Sequence, residues 1–176
     1  MTNRDKFEVI KDRYIHAVPV DVIGIAEELG IDVYESDFDN NKVSGYISKD
    51  DEGNPYICVN KNHSATRQSF TIAHEIGHFV LHEHILDNKS IVPSFYKLGE
   101  GINNCVMQRS ELDVNSEEYR KNEIQANQFA ADLLMPRDEF IKQANLCDSI
   151  QELASVFKVS VGAASIRANN LGIEIY

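Results

Sequence analysis

The chain is poor in the residues that stabilise small secreted proteins. Its 176 residues include no tryptophan, four prolines and three cysteines. The cysteines, Cys58, Cys105 and Cys147, form no C-x-x-C pattern, and their odd number does not indicate a disulfide framework. The polar N-terminus carries no apolar signal segment, and no run approaches the ~20 apolar residues of a membrane span. We therefore expect a cytoplasmic protein in a reducing environment, without a membrane span.

Cationic residues are also scarce. Lysine and arginine total 17 against 28 aspartate and glutamate residues, which gives a formal net charge of −11. Because contacts with nucleic-acid phosphates require clustered Lys and Arg, this balance argues against a DNA-binding surface spread over the protein. A hydrophobic content of 43% over this length fits one packed domain.

The most informative stretch is residues 71–82, TIAHEIGHFVLH, which contains the pattern H-E-x-x-H. On a helix, His74 and His78 lie about 40° apart and one turn above the other, so both imidazoles can bind one zinc ion. Glu75 flanks them, where it can accept a proton from an attacking water. The alternative is an ordinary amphipathic helix with solvated histidines. Apolar residues at helical spacing place this helix in the core, namely Ala73, Ile76, Gly77, Val80 and Leu81.

A hydrolytic zinc site usually has three protein ligands, and three residues are candidates for the third one. His84 has the spacing of H-E-x-x-H-x-x-G-x-x-H proteases, but Leu81 stands where those need a glycine to turn the chain. His82 lies too far along the helix axis to share an ion with both other histidines, so a supporting role suits it better. Glu123 lies on a separate predicted helix and can approach from the open side. We therefore predict Glu123 as the third ligand.

The second predicted helix covers residues 122–136, NEIQANQFAADLLMP, and ends before Pro136. One face bears Glu123 and Asn127, one turn apart among small residues that permit close packing. A carboxylate and an amide on a buried face are unusual unless the carboxylate binds metal and the amide orients a neighbouring ligand. Asn127 is therefore predicted, like His82, to support the ligands. The alternative for Glu123 is a favourable acid in the first turn of its helix.

Hydrophobic periodicity and turn residues predict the remaining elements. The expected elements before the motif helix are helices over 5–16 and 20–29, and strands over 31–34, 43–48 and 56–59. The last two strands flank a polar turn and predict a hairpin. Residues 87–116 show no sustained period and predict a long connection. Together with the two motif helices, these elements predict an α+β domain over residues 1–148.

The C-terminal tail, residues 149–176, is predicted to form a pair of short helices packed on the same domain. Ser149 and Glu152 form a capping box, and Gly172 ends the second helix. The spacing resembles a helix–turn–helix. A recognition helix normally brings several base- or phosphate-contacting side chains, whereas the second helix has Arg167 as its only cation. Core packing or docking of a partner is therefore favoured over direct DNA contact.

Residues 73–82 and 123–136 together resemble the ImmA/IrrE family of metallopeptidases. Members share the blocks H-E-x-G-H-x-x-L-H and E-x-[EQ]-A-N-x-F-A-x-x-L-L-M-P, and the order and spacing of the two blocks agree with this chain. The resemblance implies a zincin-like α+β fold. In such a fold a small mixed sheet packs against the H-E-x-x-H helix and a second helix that bears the glutamate, and a C-terminal helical pair follows.

The resemblance also implies an activity. Family members are zinc-dependent endopeptidases that cleave helix–turn–helix transcriptional repressors, often encoded nearby on mobile elements or in stress-response or toxin–antitoxin loci. Gln125 stands where many members have glutamate, and glutamine is also accepted there. The competing interpretation is a regulator without proteolytic activity, which binds a repressor, or DNA through its C-terminal helices. The implied site consists of a catalytic base, Glu75, and three zinc ligands, His74, His78 and Glu123.

Overall fold

The computed structural model describes residues 1–38, 43–83 and 117–175. The predicted connection over 87–116, Cys105 and the candidate ligand His84 lie outside these residues. The described helices are α1 (Asn3–Lys11), α2 (Val22–Leu29), α3 (Ala65–Leu81), α4 (Glu117–Leu134), α5 (Arg137–Ala144), α6 (Ile150–Phe157) and α7 (Val161–Leu171). The described strands are β1 (Asp32–Ser36), β2 (Gly45–Lys49) and β3 (Pro55–Asn60). These elements confirm the predicted α+β class. None of the described helices is long and apolar enough to cross a membrane.

The three strands form a mixed sheet in the order β1-β3-β2. β1 runs parallel to β3, and β2 pairs with β3 antiparallel, with Ile47 opposite Ile57. Because side chains alternate along a strand, Ile57 and Val59 enter the main core whereas Cys58 packs on the other face. The predicted hairpin is confirmed. The sheet packs against α3 through β2 and β3.

A polar turn joins the two hairpin strands. The Asp50 side chain accepts hydrogen bonds from the backbone N–H groups of Glu52, at 2.9 Å, and Asn54, at 2.8 Å. Gly53 has a φ of +89°, which a residue with a side chain rarely adopts. The turn therefore sets the hairpin register with local interactions.

Helix α3 is the central element of the fold. The Ser64 hydroxyl caps its first turn by accepting from the Arg67 backbone N–H. The Arg67 guanidinium in turn donates to the Ser44 hydroxyl at 2.9 and 3.2 Å, which ties the start of α3 to the β2 side of the sheet. Ala73 and Ile76 are fully buried. The predicted core stripe is thus confirmed, and α3 packs against the sheet and α4.

Two predicted helix boundaries are wrong. The first helix ends at Lys11 instead of continuing to position 16, because the chain bends into turns where the Tyr14 hydroxyl donates to the Glu28 carboxylate at 2.6 Å. Helix α4 begins at Glu117 instead of position 122. Glu123 therefore lies in the second turn, and its alternative interpretation as a first-turn acid is wrong.

The segment between the second motif block and the tail forms a helix that the sequence analysis did not predict. Pro136 ends α4 and stands immediately before α5, a position that proline tolerates because the first N–H groups of a helix have no intrahelical partner. Phe140 on α5 is fully buried and its ring centroid lies 5.2 Å from that of Phe157 on α6. Helix α5 thus packs against the tail.

The tail forms the two predicted helices. The Ser149 hydroxyl accepts from the Glu152 backbone N–H at 3.2 Å, as the capping box requires. The reciprocal bond differs, since the Glu152 carboxylate accepts from the N–H of Asp148, one residue before the predicted donor. Gly172 has a φ of +68° and ends α7 as expected.

The contact between α3 and α4 is unusually close at Gly77. A Cβ atom there would lie 3.1 Å from Phe129 Cδ1 and 3.3 Å from the Ala126 Cα. Both distances are tighter than ordinary van der Waals contact, so the absent side chain lets the two helix backbones approach. This approach fixes how far α4 stands from the histidines of α3.

We predict that Gly77→Val destabilises the protein by about 1–3 kcal/mol, because the added methyl groups overpack the contact. Urea unfolding followed by circular dichroism measures the change in the free energy of unfolding. Gly162 on α7 is the matched control, since no atom lies within 4 Å of a Cβ built there. Gly162→Ala should stabilise the chain by up to about 1 kcal/mol. An unchanged stability in Gly77→Val would contradict the close contact.

Candidate metal centre

Helix α3 presents His74 and His78 on one side, one turn apart. Their ring centroids are 4.7 Å apart, and the two Nε2 atoms are 3.0 Å apart. The side chain of His74 is 14% exposed, and that of His78 is 12% exposed. The interpretation of the motif as a helix with solvated histidines is therefore wrong.

Helix α4 adds Glu123 to the histidine pair. Its Oε2 atom lies 3.5 Å from His74 Nε2, and its Oε1 atom lies 3.3 Å from His78 Nε2. The carboxylate is 27% exposed. Within the described residues, these three side chains form a group that can hold a metal ion, with the ligand atoms within 4.8 Å of one another. The structure thus brings together the three residues that were predicted as ligands.

The spacing of these atoms fits a zinc ion. Two ligands at ~2.0–2.1 Å from one tetrahedral ion are separated by about 3.3–3.4 Å. The three observed separations, 3.0, 3.3 and 3.5 Å, lie close to that value. Two imidazoles and one carboxylate also match the donor set of hydrolytic zinc sites, which use three protein ligands and keep one position open.

Electrostatics keep the carboxylate ionised. Burial raises the pKa of Glu123, but hydrogen bonds and charge from His74 and His78 outweigh this effect and hold the pKa well below its usual range. Burial lowers the pKa of His74, whereas the hydrogen bond that its imidazole donates to Glu123 and the charge of Glu75 raise the pKa, with a net increase. A proton and a metal ion therefore compete for the same imidazole nitrogen.

The two predicted supporting residues contact the outer nitrogens of the ligands. Asn127 Oδ1 lies 2.9 Å from His74 Nδ1. His82 Nδ1 lies 3.1 Å from His78 Nδ1, and His82 is only 3% exposed. Hydrogen bonds at the outer nitrogen orient an imidazole toward its metal. The contacts are those expected of supporting residues, and their effect on metal binding stays a prediction.

Glu75 lies between the ligand histidines in sequence and is 7% exposed. Its charge is one of the causes that raise the pKa of His74, after the hydrogen bond of that imidazole to Glu123. The structure thus places a buried carboxylate beside the ligand group, where the motif predicts the proton acceptor. The catalytic role of this carboxylate stays a prediction.

One contact of the site was missed by the sequence analysis. Gln125 Oε1 lies 2.9 Å from His82 Nε2. Position 125 stands two residues from Glu123, and helical periodicity places it about 200° around α4, away from the ligand face. Pattern analysis therefore gave Gln125 no part in the site. The signal that pointed to it was the block position it shares with the family motif.

A histidine pair on one helix and a glutamate on a second, beside a small mixed sheet, are the arrangement of a zincin-like fold with a possible metal site. A family comparison agrees with this class. The model of the IrrE N-terminal-like domain, Peptidase_M78, matches residues 26–169. The chain therefore belongs to the ImmA/IrrE family of metallopeptidases, which confirms the resemblance drawn from its two sequence blocks.

Comparison with solved structures supports the fold. One matching chain is a Mycobacterium tuberculosis transcriptional regulator, with a TM-score of 0.55 and 18% sequence identity. The match covers 96% of this chain and 52% of the regulator, so this chain spans about half the length of that protein. No significant match is found among curated proteins.

We predict that Glu123→Gln weakens zinc binding by more than about 100-fold. Loss of an outer partner alone costs about 10–100-fold, and this change removes the charge of a proposed ligand. Competition with a chromophoric chelator measures the affinity. Glu117→Gln, an exposed first-turn position on the same helix, is the matched control and should bind zinc like the unsubstituted chain. Equal affinities in the two variants would contradict a ligand role for Glu123.

Proposed function

We propose that this protein is a zinc-dependent endopeptidase. The convergence of His74, His78 and Glu123 on one point, with atoms at tetrahedral separations, carries the proposal. Three protein ligands leave a position for water, whereas a purely structural zinc site normally has four. Membership of a metallopeptidase family supports the same assignment.

Zinc held by these residues would polarise the scissile carbonyl and lower the pKa of a bound water toward ~7. Glu75 accepts a proton from the attacking water and passes it to the leaving amine. Asn127 and His82 hold the ligand rings through their outer nitrogens. The burial of Glu75 beside the ligand group supports this role, because it keeps the carboxylate close to the place where the attacking water would lie.

We propose that the substrate is a protein, specifically a helix–turn–helix transcriptional repressor. The family and the regulatory name of the structural neighbour support a function among regulators. Strand β2 is an outer strand of the three-stranded sheet and packs beside α3. An extended peptide can add to such a strand through backbone hydrogen bonds, which gives a peptidase affinity with little side-chain selectivity. Cleavage would occur in the cytoplasm, where repressors act.

The alternative, a regulator that binds DNA through its C-terminal helices, is disfavoured by the contacts of Arg167. This residue is 6% exposed, and its Nε atom donates to the Met135 carbonyl at 3.0 Å. Its Nη1 atom also pairs with the Asp132 carboxylate. The cation of α7 is therefore used within the protein instead of facing phosphates. We propose that residues 149–176 are an extension packed on the domain formed by residues 1–148.

We predict that Glu75→Gln keeps zinc affinity within about twofold but abolishes cleavage, because the variant loses a proton acceptor and no ligand. The zinc-loaded chain is incubated with purified helix–turn–helix transcriptional repressors from the same organism. Fragments are identified by mass spectrometry.

Glu27→Gln provides the matched control, since Glu27 is an exposed residue of α2, away from the ligand group. This variant should cleave at the rate of the unsubstituted chain. Cleavage by Glu75→Gln at that same rate would refute the assignment of the base. Zinc binding without cleavage of a repressor by any variant would refute the substrate.

A further inference from the structure

A chain of two hydrogen bonds runs from α4 to a proposed metal ligand. It joins Gln125 Oε1 to His82 Nε2, at 2.9 Å, and His82 Nδ1 to His78 Nδ1, at 3.1 Å. We propose that Gln125 is a positioning residue, which acts through His82 to fix the tautomer of His78 so that its Nε2 lone pair faces the metal site. The inference rests on the proposed metal-binding function.

The direction of the first bond follows from the chemistry of the amide. The Oε1 atom of Gln125 can only accept, so Nε2 of His82 carries the hydrogen. A ring that donates through one nitrogen and accepts through the other is the neutral imidazole, and the relay concerns this form of His82. A neutral ring with its hydrogen on Nε2 has a lone pair on Nδ1. The amide therefore makes the inner nitrogen of His82 an acceptor.

The second hydrogen bond determines which ring nitrogen of His78 carries the hydrogen. Since Nδ1 of His82 accepts, Nδ1 of His78 must donate, and the neutral His78 ring then has its lone pair on Nε2. This Nε2 atom faces the Glu123 carboxylate, at 3.3 Å. A metal ligand needs that lone pair, whereas the other tautomer would direct an N–H at the ion.

The tautomer of His74 is fixed in the same way by a single, direct hydrogen bond. The Oδ1 atom of Asn127 lies 2.9 Å from His74 Nδ1 and accepts from it, which leaves the Nε2 atom of His74 as the acceptor. One helix thus provides an amide for each ligand ring, directly for His74 and through a second ring for His78. The relay reaches His78 because the His82 ring bridges the Nδ1 atom of His78 and the amide oxygen of Gln125.

The test compares variants at position 125 that keep or remove the acceptor. Gln125→Met keeps the length and helix propensity of the side chain but has no amide oxygen, and zinc affinity should fall about tenfold. Gln125→Glu keeps an acceptor and should retain the affinity of the unsubstituted chain or exceed it. Long-range ¹H–¹⁵N spectra of the full chain should show His78 with its hydrogen on Nδ1 in the Glu variant, and a mixture of tautomers in the Met variant.

Matched variants at Gln128 separate the relay from effects on charge or helix stability. Gln128 is exposed on the same helix and donates to Asp132 instead of a histidine. Gln128→Met should leave zinc affinity unchanged, and Gln128→Glu measures the effect of an added charge alone. If Gln125→Met binds zinc within twofold of Gln128→Met and His78 keeps its tautomer, the relay is refuted and the metal site stands. If the unsubstituted chain binds no zinc, both inferences fail.

Discussion

The close approach of α3 and α4 determines the geometry of the site. Without a side chain at Gly77, the backbone of α3 comes near Ala126 and the ring of Phe129. This separation lets a side chain as short as glutamate reach two imidazoles on the facing helix. A larger residue at the contact would move α4 outward, and the carboxylate of Glu123 would lose its distances of 3.3 and 3.5 Å to the ligand nitrogens. The packing of α3 against α4 therefore sets the distances within the candidate metal site.

The site is also an electrostatic arrangement that requires a cation. Two imidazole nitrogens and one ionised carboxylate lie together at low exposure, within 4.8 Å of one another. The raised pKa of His74 and the lowered pKa of Glu123 express this requirement, since a proton satisfies part of it. A divalent ion held by all three side chains would satisfy it more completely than a proton on one of them.

The sequence predicted those parts of the molecule that local patterns encode. The i, i+4 histidines, the N-cap at Ser149 and the hairpin each depend on a few neighbouring residues, and the structure contains all three. The early end of α1 and the contact of Gln125 depend on tertiary interactions instead. Gln125 is the clearest case, because helical periodicity turns it away from Glu123 and only the three-dimensional position of His82 gives it a partner.

The C-terminal tail is bonded to the end of the helix that bears Glu123. Arg167 on α7 bonds the Met135 carbonyl just beyond the end of α4 and pairs with Asp132 in its last turn. The end of α4 opposite Glu123 is thereby bonded to the helical pair, so the tail stabilises the helix that bears Glu123. A helix–turn–helix pattern normally suggests DNA recognition, yet here its cation is buried and bonded to residues at the end of the helix that bears Glu123. Two short helices arranged in this way can therefore stabilise a neighbouring helix. The contacts of Arg167 distinguish that structural role from recognition of DNA.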